Sequence, residues 1–181
     1  MSTKEKLPST LRYEQAYLSE RGLKDYEDYL GIKVEELRGE VILDVGSPKG
    51  EKFAKEASDY DISVVSLNPK LKRVNFLSGV SRFLNKLVDQ VRFKKYSGMV
   101  AAGIAQELPF QDESFDRVFA LVSVPLYISK KEIPGMVQEM LRVLKNGGEI
   151  IIFPVTEEEL VIIRDIISPD QISAEHIKEP T

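Results

Sequence analysis

The chain has 181 residues, 43% of them hydrophobic and 30% charged, with a formal net charge of −4. These values fit a globular domain with a sizeable core and argue against a chain-wide affinity for nucleic acid. With no cysteine and one histidine, His176, the chain has no means of disulfide bonding, cysteine-ligated zinc or thiol catalysis, and a histidine triad is disfavoured.

No apolar run approaches the roughly 20 residues of a membrane helix. The first ten residues, M-S-T-K-E-K-L-P-S-T, lack the apolar centre of a secretory signal, so a cytoplasmic protein is the expectation. The charge is uneven. Lys70 to Lys95 holds eight basic residues against one acid, Asp89, a net +7 that leaves −11 for the rest. Such a patch suits an anionic partner, RNA or phosphate, although a solvated helix face has the same pattern.

In chain order, Ser9–Glu20 has a hydroxyl cap and helical spacing of Leu11, Ala16, Tyr17 and Leu18. Lys24–Leu30 reads as a short helix ended by Gly31, with one more turn at Val34–Leu37. Residues 1–38 thus form an N-terminal helical segment, a lid or edge cover, ahead of an α/β domain at 39–181. Tyr13 and Tyr17, one turn apart, are candidates to line a substrate site.

Alternation then begins. Strands are predicted at Val41–Val45, Ile62–Leu67, Gly98–Ala102, Phe115–Val122 and Glu149–Phe153. Helices are predicted at Lys49–Ala57, within Leu71–Val91, at Lys131–Leu144 and at Glu157–Ile167. Asn146-Gly147-Gly148 is read as the stop of the third of these helices, and Gln171–Ile177 as room for one short further strand. The strands are near-continuous apolar runs, as expected where both faces are buried. The pattern predicts a Rossmann-like, doubly wound, mostly parallel sheet of five to six strands with the terminal hairpin truncated. The exposed edge strand that results needs a cover, from the chain itself or through a homo- or hetero-oligomer.

In such a sheet, ligands bind beyond the carboxyl ends of the strands. The first strand ends in Asp44-Val45-Gly46-Ser47-Pro48-Lys49-Gly50. Gly46 permits a sharp turn, Ser47 suits a helix N-cap, Pro48 the first helical position, and Gly50 a close backbone approach. Asp44 favours a ligand with a cationic group over a bare phosphate. The second strand ends at Asn68, whose amide oxygen can meet a ribose hydroxyl. After the third strand comes Gly103-Ile104-Ala105-Gln106-Glu107-Leu108-Pro109-Phe110. Ser123-Val124-Pro125-Leu126-Tyr127 follows the fourth.

The run L-P-F-Q-D-E-S-F-D-R-V, followed about 25 residues later by M-L-R-V-L-K-N-G-G-E-I-I-I-F, resembles the class I S-adenosylmethionine-dependent methyltransferases. The nearest likeness is to the ubiquinone/menaquinone methyltransferase group, over roughly residues 38–155. The resemblance implies an S-adenosylmethionine cofactor and a methyltransferase. Asp44, Gly46, Ser47 and Gly50 would hold the methionine side, Asn68 the ribose, and Ile104 and Leu108 the adenine. Val122 and Ser123 would line the transfer end, with Tyr13, Tyr17 and Tyr127 toward the acceptor. The family needs no catalytic dyad, because a positioned nucleophile meets an already activated methyl group.

Three positions depart from the family pattern. Pro48 replaces the middle loop glycine, Asn68 the ribose acid, and Ile104 the acid that meets the adenine amino group. Weakening one charged hydrogen bond and losing another costs roughly 2–4 kcal/mol, on the order of 30- to 1,000-fold in affinity. Weakened cofactor binding is therefore expected unless Gln106 or backbone groups compensate. The competing expectation is a non-catalytic binding or scaffolding member of the same fold.

Overall fold

The computed structural model describes residues 21–47, 52–68 and 99–167. Their elements are α1 (Leu23–Leu30), a 3-10 turn (Val34–Leu37), β1 (Val41–Val45), α2 (Lys52–Ser58), β2 (Ser63–Leu67), β3 (Met99–Ala101), β4 (Phe115–Leu121), a 3-10 turn (Lys130–Glu132), α3 (Ile133–Val143), β5 (Leu144–Phe153) and α4 (Glu157–Arg164). The helices expected at Ser9–Glu20 and within Leu71–Val91, the strand at Gln171–Ile177 and the patch at Lys70–Lys95 lie outside the described residues.

The five strands form one sheet in the order β3-β2-β1-β4-β5, and every pairing is parallel. The chain runs outward from β1 to β3, then returns to the other side of β1 with β4. The reversal of direction therefore falls between β1 and β4, the place where a doubly wound sheet opens a crevice.

All five residues of β1 are buried, as are four of five in β2. Alternate side chains serve opposite layers. Val41, Leu43, Val45, Val118 and Ala120 pack with Ile133, Met136, Val137, Met140 and Val143 of α3. Ile42, Val64, Phe119 and Leu121 pack with Leu23, Tyr26 and Leu30 of α1 and with Phe53, Ala54 and Ala57 of α2. The Tyr26 ring stacks on Phe53 at 3.8 Å between centroids, and both tilt against Phe119. Such aromatic pairs contribute about 0.5–1.5 kcal/mol beyond the area they bury. Residues 23–37 are thus part of one layer of the core.

The local stops follow from the residues. Gly31 takes φ 66° and closes α1 by donating to the Glu27 carbonyl at 3.1 Å. Thr156 caps α4: its backbone N–H donates to Glu159 at 2.8 Å, and its hydroxyl accepts from the Glu159 N–H at 3.3 Å.

Two expectations are corrected. The helix expected to reach Leu144 ends at Val143, and β5 begins there, before Asn146-Gly147-Gly148. The glycine pair is a bulge inside the strand. Leu144 pairs with Phe115 and Glu149 with Arg117, so Lys145–Gly148 stand opposite Asp116 alone. Gly147 takes φ 78°, and a Cβ on Gly148 would lie 2.6 Å from the Asp116 carbonyl oxygen. Only glycine lets the strand rejoin its partner there. The last helix ends at Arg164 instead of Ile167, the next three residues forming turns. Leu141 is exposed, off the stripe that α3 buries.

Candidate functional site

The turn that leaves β1 is fixed by its neighbours. The N–H groups of Gly46 and Ser47 both donate to the Leu67 carbonyl, at 2.9 and 3.2 Å. Gly46 takes φ 81°, open to glycine at no steric cost. A Cβ there would lie 2.4 Å from the Ser123 Cβ, so the end of β4 presses directly on the turn. The Ser123 hydroxyl donates to the Val45 carbonyl at 2.6 Å and ties the two strand ends together.

Asn68 links the next pair. Its backbone N–H donates to Ala101 at 2.9 Å, and its side-chain Nδ2 donates to the Ser47 carbonyl at 3.2 Å. A carboxylate in that place has no proton for Ser47. This gives a structural reason for asparagine where the resembling family carries an acid.

Val122 lies just past β4 with φ 46°. A β-branched residue in the left-handed region is strained. Its N–H donates to the Phe153 carbonyl at 2.7 Å, which holds the conformation in place.

Above these ends lies Arg21, a residue that the sequence reading does not single out. It is 3% exposed. Nη2 donates to the Gly46 carbonyl at 3.0 Å, and Nη1 reaches the Val122 carbonyl at 3.5 Å. The segment is anchored where it enters α1. The Leu23 N–H donates to Glu56 at 2.6 Å and the Gly22 N–H to Asp25 at 2.7 Å. Its only sequence signal is an arginine directly before a helix-starting glycine.

Asp44 is 0% exposed and sits on the sheet between Ser66 and Phe119, facing α1. Among the described residues, Arg21 Nε and the Ser66 hydroxyl are buried without a hydrogen-bond partner. Burial pushes the Asp44 carboxyl up from the usual aspartate range, while the Arg21 charge and the Tyr26 and Ser47 hydroxyls pull it back. Tyr26 is pushed well above the usual phenol range, first by burial and next by the Asp44 charge. The result is a buried cation–carboxylate cluster with unused polar atoms at the carboxyl ends of β1 and β4.

The structure brings Asp44, Gly46, Ser47, Asn68 and Val122 together here. Ile104 lies beyond the end of β3, 44% exposed, an apolar surface of the kind a ring can cover. Gln106 donates to Glu132 at 3.0 Å. Leu108 is buried in the core, its N–H donating to Glu139 at 2.8 Å and its carbonyl accepting from Arg142 at 3.0 Å. Tyr127 is 59% exposed on the loop after β4. Tyr13, Tyr17, Pro48 and Gly50 lie outside the described residues.

An all-parallel sheet whose central crevice is built around a strand–turn glycine and a buried aspartate defines a Rossmann-like class of cofactor-binding domain. A family model described as a methyltransferase domain matches residues 43–152, more than half of the chain, and the chain belongs to that family. Among curated relatives, it is 26% identical over 157 residues to an O-methyltransferase of Penicillium expansum, covering 82% of this chain and 52% of that protein. It is 29% identical over 136 residues to a demethylmenaquinone methyltransferase of Staphylococcus aureus, covering 71% and 53%. The chain spans about half the length of each of these relatives. Among solved structures, a TehB-like S-adenosylmethionine-dependent methyltransferase from Corynebacterium glutamicum superposes with a TM-score of 0.52 at 15% identity, covering 87% of this chain and 79% of that one. That likeness bears on the fold. The class I methyltransferase resemblance read from the sequence is borne out by the family match and the relatives. No described helix is long and apolar enough to cross a membrane.

Proposed function

We propose that the chain is an S-adenosylmethionine-dependent methyltransferase domain acting on an acceptor yet to be identified. The observation that carries this reading is the buried Asp44 beside the Gly46 turn at the β1–β4 crevice, within a family-matched domain. The residues fit the cofactor in chemistry. Asp44 and the Gly46 and Val122 carbonyls suit its α-ammonium, and the exposed Ile104 suits its ring. Ser47 and Gly50 are assigned to its methionine side and Asn68 to its ribose, while Leu108, buried in the core, backs the ring position. Tyr13, Tyr17 and Tyr127 are assigned to the acceptor side.

When bound, the cofactor supplies a methyl group on sulfur that needs no further activation. The task of this chain is to hold, orient and exclude water. Ser123 and Asn68 keep the three central strand ends at fixed separation, and the strained Val122 sets the direction in which the chain leaves β4. No side chain is assigned a proton-transfer role.

A second reading is a methyltransferase-fold binding protein with weak cofactor affinity. It draws on the backbone of Gly46 and Ser47, whose N–H and carbonyl groups are all engaged within the chain. An anionic partner at Lys70–Lys95 is compatible with either reading. Isothermal titration with S-adenosylhomocysteine is the test. Saturable heat at micromolar to millimolar ligand is expected for the first reading, and none from a demonstrably folded protein would eliminate it.

A further inference from the structure

The geometry points to β5 as the seam of a symmetric dimer, two copies of this chain joined edge to edge with their β5 strands antiparallel. Among the described residues, β5 has a strand beside it on one side only, β4. The Val122 N–H donates to the Phe153 carbonyl, so the backbone groups of Phe153 face β4. Direction alternates along a strand, which turns those of Ile151 toward β4 as well and those of Ile150 and Ile152 outward. The pairing with β4 is regular from Glu149 to Phe153, so the bulge does not disturb this alternation.

The outer edge is apolar. Ile150, Ile151, Ile152 and Phe153 are all only half-buried. Ile150 and Ile152 pack partly against the layer of α3, Ile151 and Phe153 against the layer of α1. Apolar surface therefore lies open on both faces of the strand. Proteins that keep an edge from pairing place a charge, a proline or a bulge on it. The I-I-I-F run has none of these, since the bulge precedes it and Pro154 follows it.

The edge is also complementary to itself. A two-fold axis through Ile151, perpendicular to the sheet, sets Ile150 of each copy opposite Ile152 of the other. These are the outward-facing residues, so each such pair exchanges both of its N–H···O=C bonds. Aliphatic side chains then meet aliphatic side chains on both faces. The same axis lays α4 antiparallel beside its copy. α4 follows β5 after residues 154–156 and packs on α3 in the same layer. Its Ile163 is buried and its Ile162 packs on the core. Glu157, Leu160, Val161 and Arg164, at the three- and four-residue spacing of one helix face, lie away from that contact. Val161 is 56% exposed. In the antiparallel arrangement the acidic first turn of one α4 meets Arg164 in the last turn of the other, with Leu160 and Val161 between. A second copy satisfies the strand and the charges together by symmetry, as an isologous interface requires.

The test is the oligomeric state of the full chain. Sedimentation equilibrium should give twice the mass of one chain. Hydrogen exchange at the Ile150 and Ile152 amides, followed by NMR, should slow as protein concentration rises. Ile152→Pro removes an outward N–H and leaves the bonds to β4 in place, and should weaken the dimer roughly tenfold or more. Arg164→Glu should weaken it several-fold, and adding Glu157→Arg should restore it. A monomer at every concentration overturns the proposal, whether the two amides exchange freely or are protected; protection there means that the chain covers its own edge. A dimer that Ile152→Pro leaves intact, or one that Arg164→Glu does not weaken and Glu157→Arg does not restore, is joined elsewhere and overturns it too. Arg164 is exposed, so if Ile152→Pro does not fold, the charge pair decides by itself.

Discussion

Nη2 of Arg142 donates to the Leu108 carbonyl at 3.0 Å, joining two sequence motifs that lie 34 residues apart. The same guanidinium donates to the Phe110 carbonyl, to Asp112 and twice to Glu139, and Glu139 in turn accepts the Leu108 N–H. A second tie parallels it. Asp116 accepts from the Val41 N–H at 2.9 Å and from Lys145 at 2.5 Å. The L-P-F-Q-D-E-S-F-D and R-V-L-K runs are therefore two halves of one clamp on the loop before β4.

Removing the clamp should cost stability. Arg142→Ala loses five hydrogen bonds from a partly buried group and should destabilise by roughly 2–4 kcal/mol, with Arg142→Lys recovering only part. Urea unfolding followed by far-ultraviolet dichroism measures both. An Arg142→Ala chain within 0.5 kcal/mol of the wild type would refute the clamp, taking about 1 ± 0.5 kcal/mol as the worth of a single bond.

The clamp also sets an acid limit. Arg142, first through its hydrogen bond, and then the Leu108 N–H hold the Glu139 carboxyl below the usual glutamate range. A lowered folded value means that the contribution is fully present above the unfolded value, about 4.3, and is lost as pH falls through the folded one. Glu139→Gln should be less stable than the wild type at pH 7, and the gap should narrow below about pH 4. A gap independent of pH would contradict this.

Asp44 predicts the opposite sign. Burial raises its carboxyl above the usual aspartate range. The folded state then holds a proton that the unfolded state has released, so this group's contribution weakens as pH rises from the unfolded value, about 3.9, through the folded one. Asp44→Asn should flatten the stability–pH profile across that window, by at most about 1.4 kcal/mol per pH unit. Thermal melts of both proteins in matched buffers test it, and parallel profiles would count against a strained carboxylate.

Gly46 and Ser123 should be coupled. Gly46→Ala forces a Cβ to within 2.4 Å of the Ser123 Cβ at a backbone with φ 81°. The strain and the overlap together should cost roughly 2–4 kcal/mol. Adding Ser123→Gly should return the overlap part and leave the backbone part. A double-mutant cycle by chemical unfolding would show no coupling if the approach were loose.

Val122 offers a reversal of the usual order. In a strand, glycine is less stable than alanine by about 0.5–1 kcal/mol. At φ 46° the order should invert, so Val122→Gly should be more stable than Val122→Ala by about 1 kcal/mol. Both lose the buried Val122 side chain, and comparing them isolates the backbone. Alanine as the more stable of the two would rule out strain at this position.

The β–α alternation, β1 to the residue, the Gly31 stop and the family were legible in the sequence because each is local: apolar runs, a helix-stopping glycine, short motifs. The β5 bulge was not. Asn146-Gly147-Gly148 has the composition of a helix stop, and only its pairing opposite Asp116 makes it part of a strand. Leu108 is assigned to the adenine by the resemblance alone, and only the tertiary structure shows that its side chain is buried in the core.

The stretch Asp44–Ser47 shows the division most clearly. Its sequence determined that the chain turns there and that a carboxylate waits at the turn, since only a glycine and an acid are needed for that. What surrounds the carboxylate was decided by tertiary structure alone. Arg21 lies 25 residues from Gly46 and 101 from Val122, and reaches both because the sheet order places β1 beside β4 and α1 over them. No periodicity or short motif encodes a contact of that separation. It exists because a buried charge must find its counter-charge wherever the fold puts one.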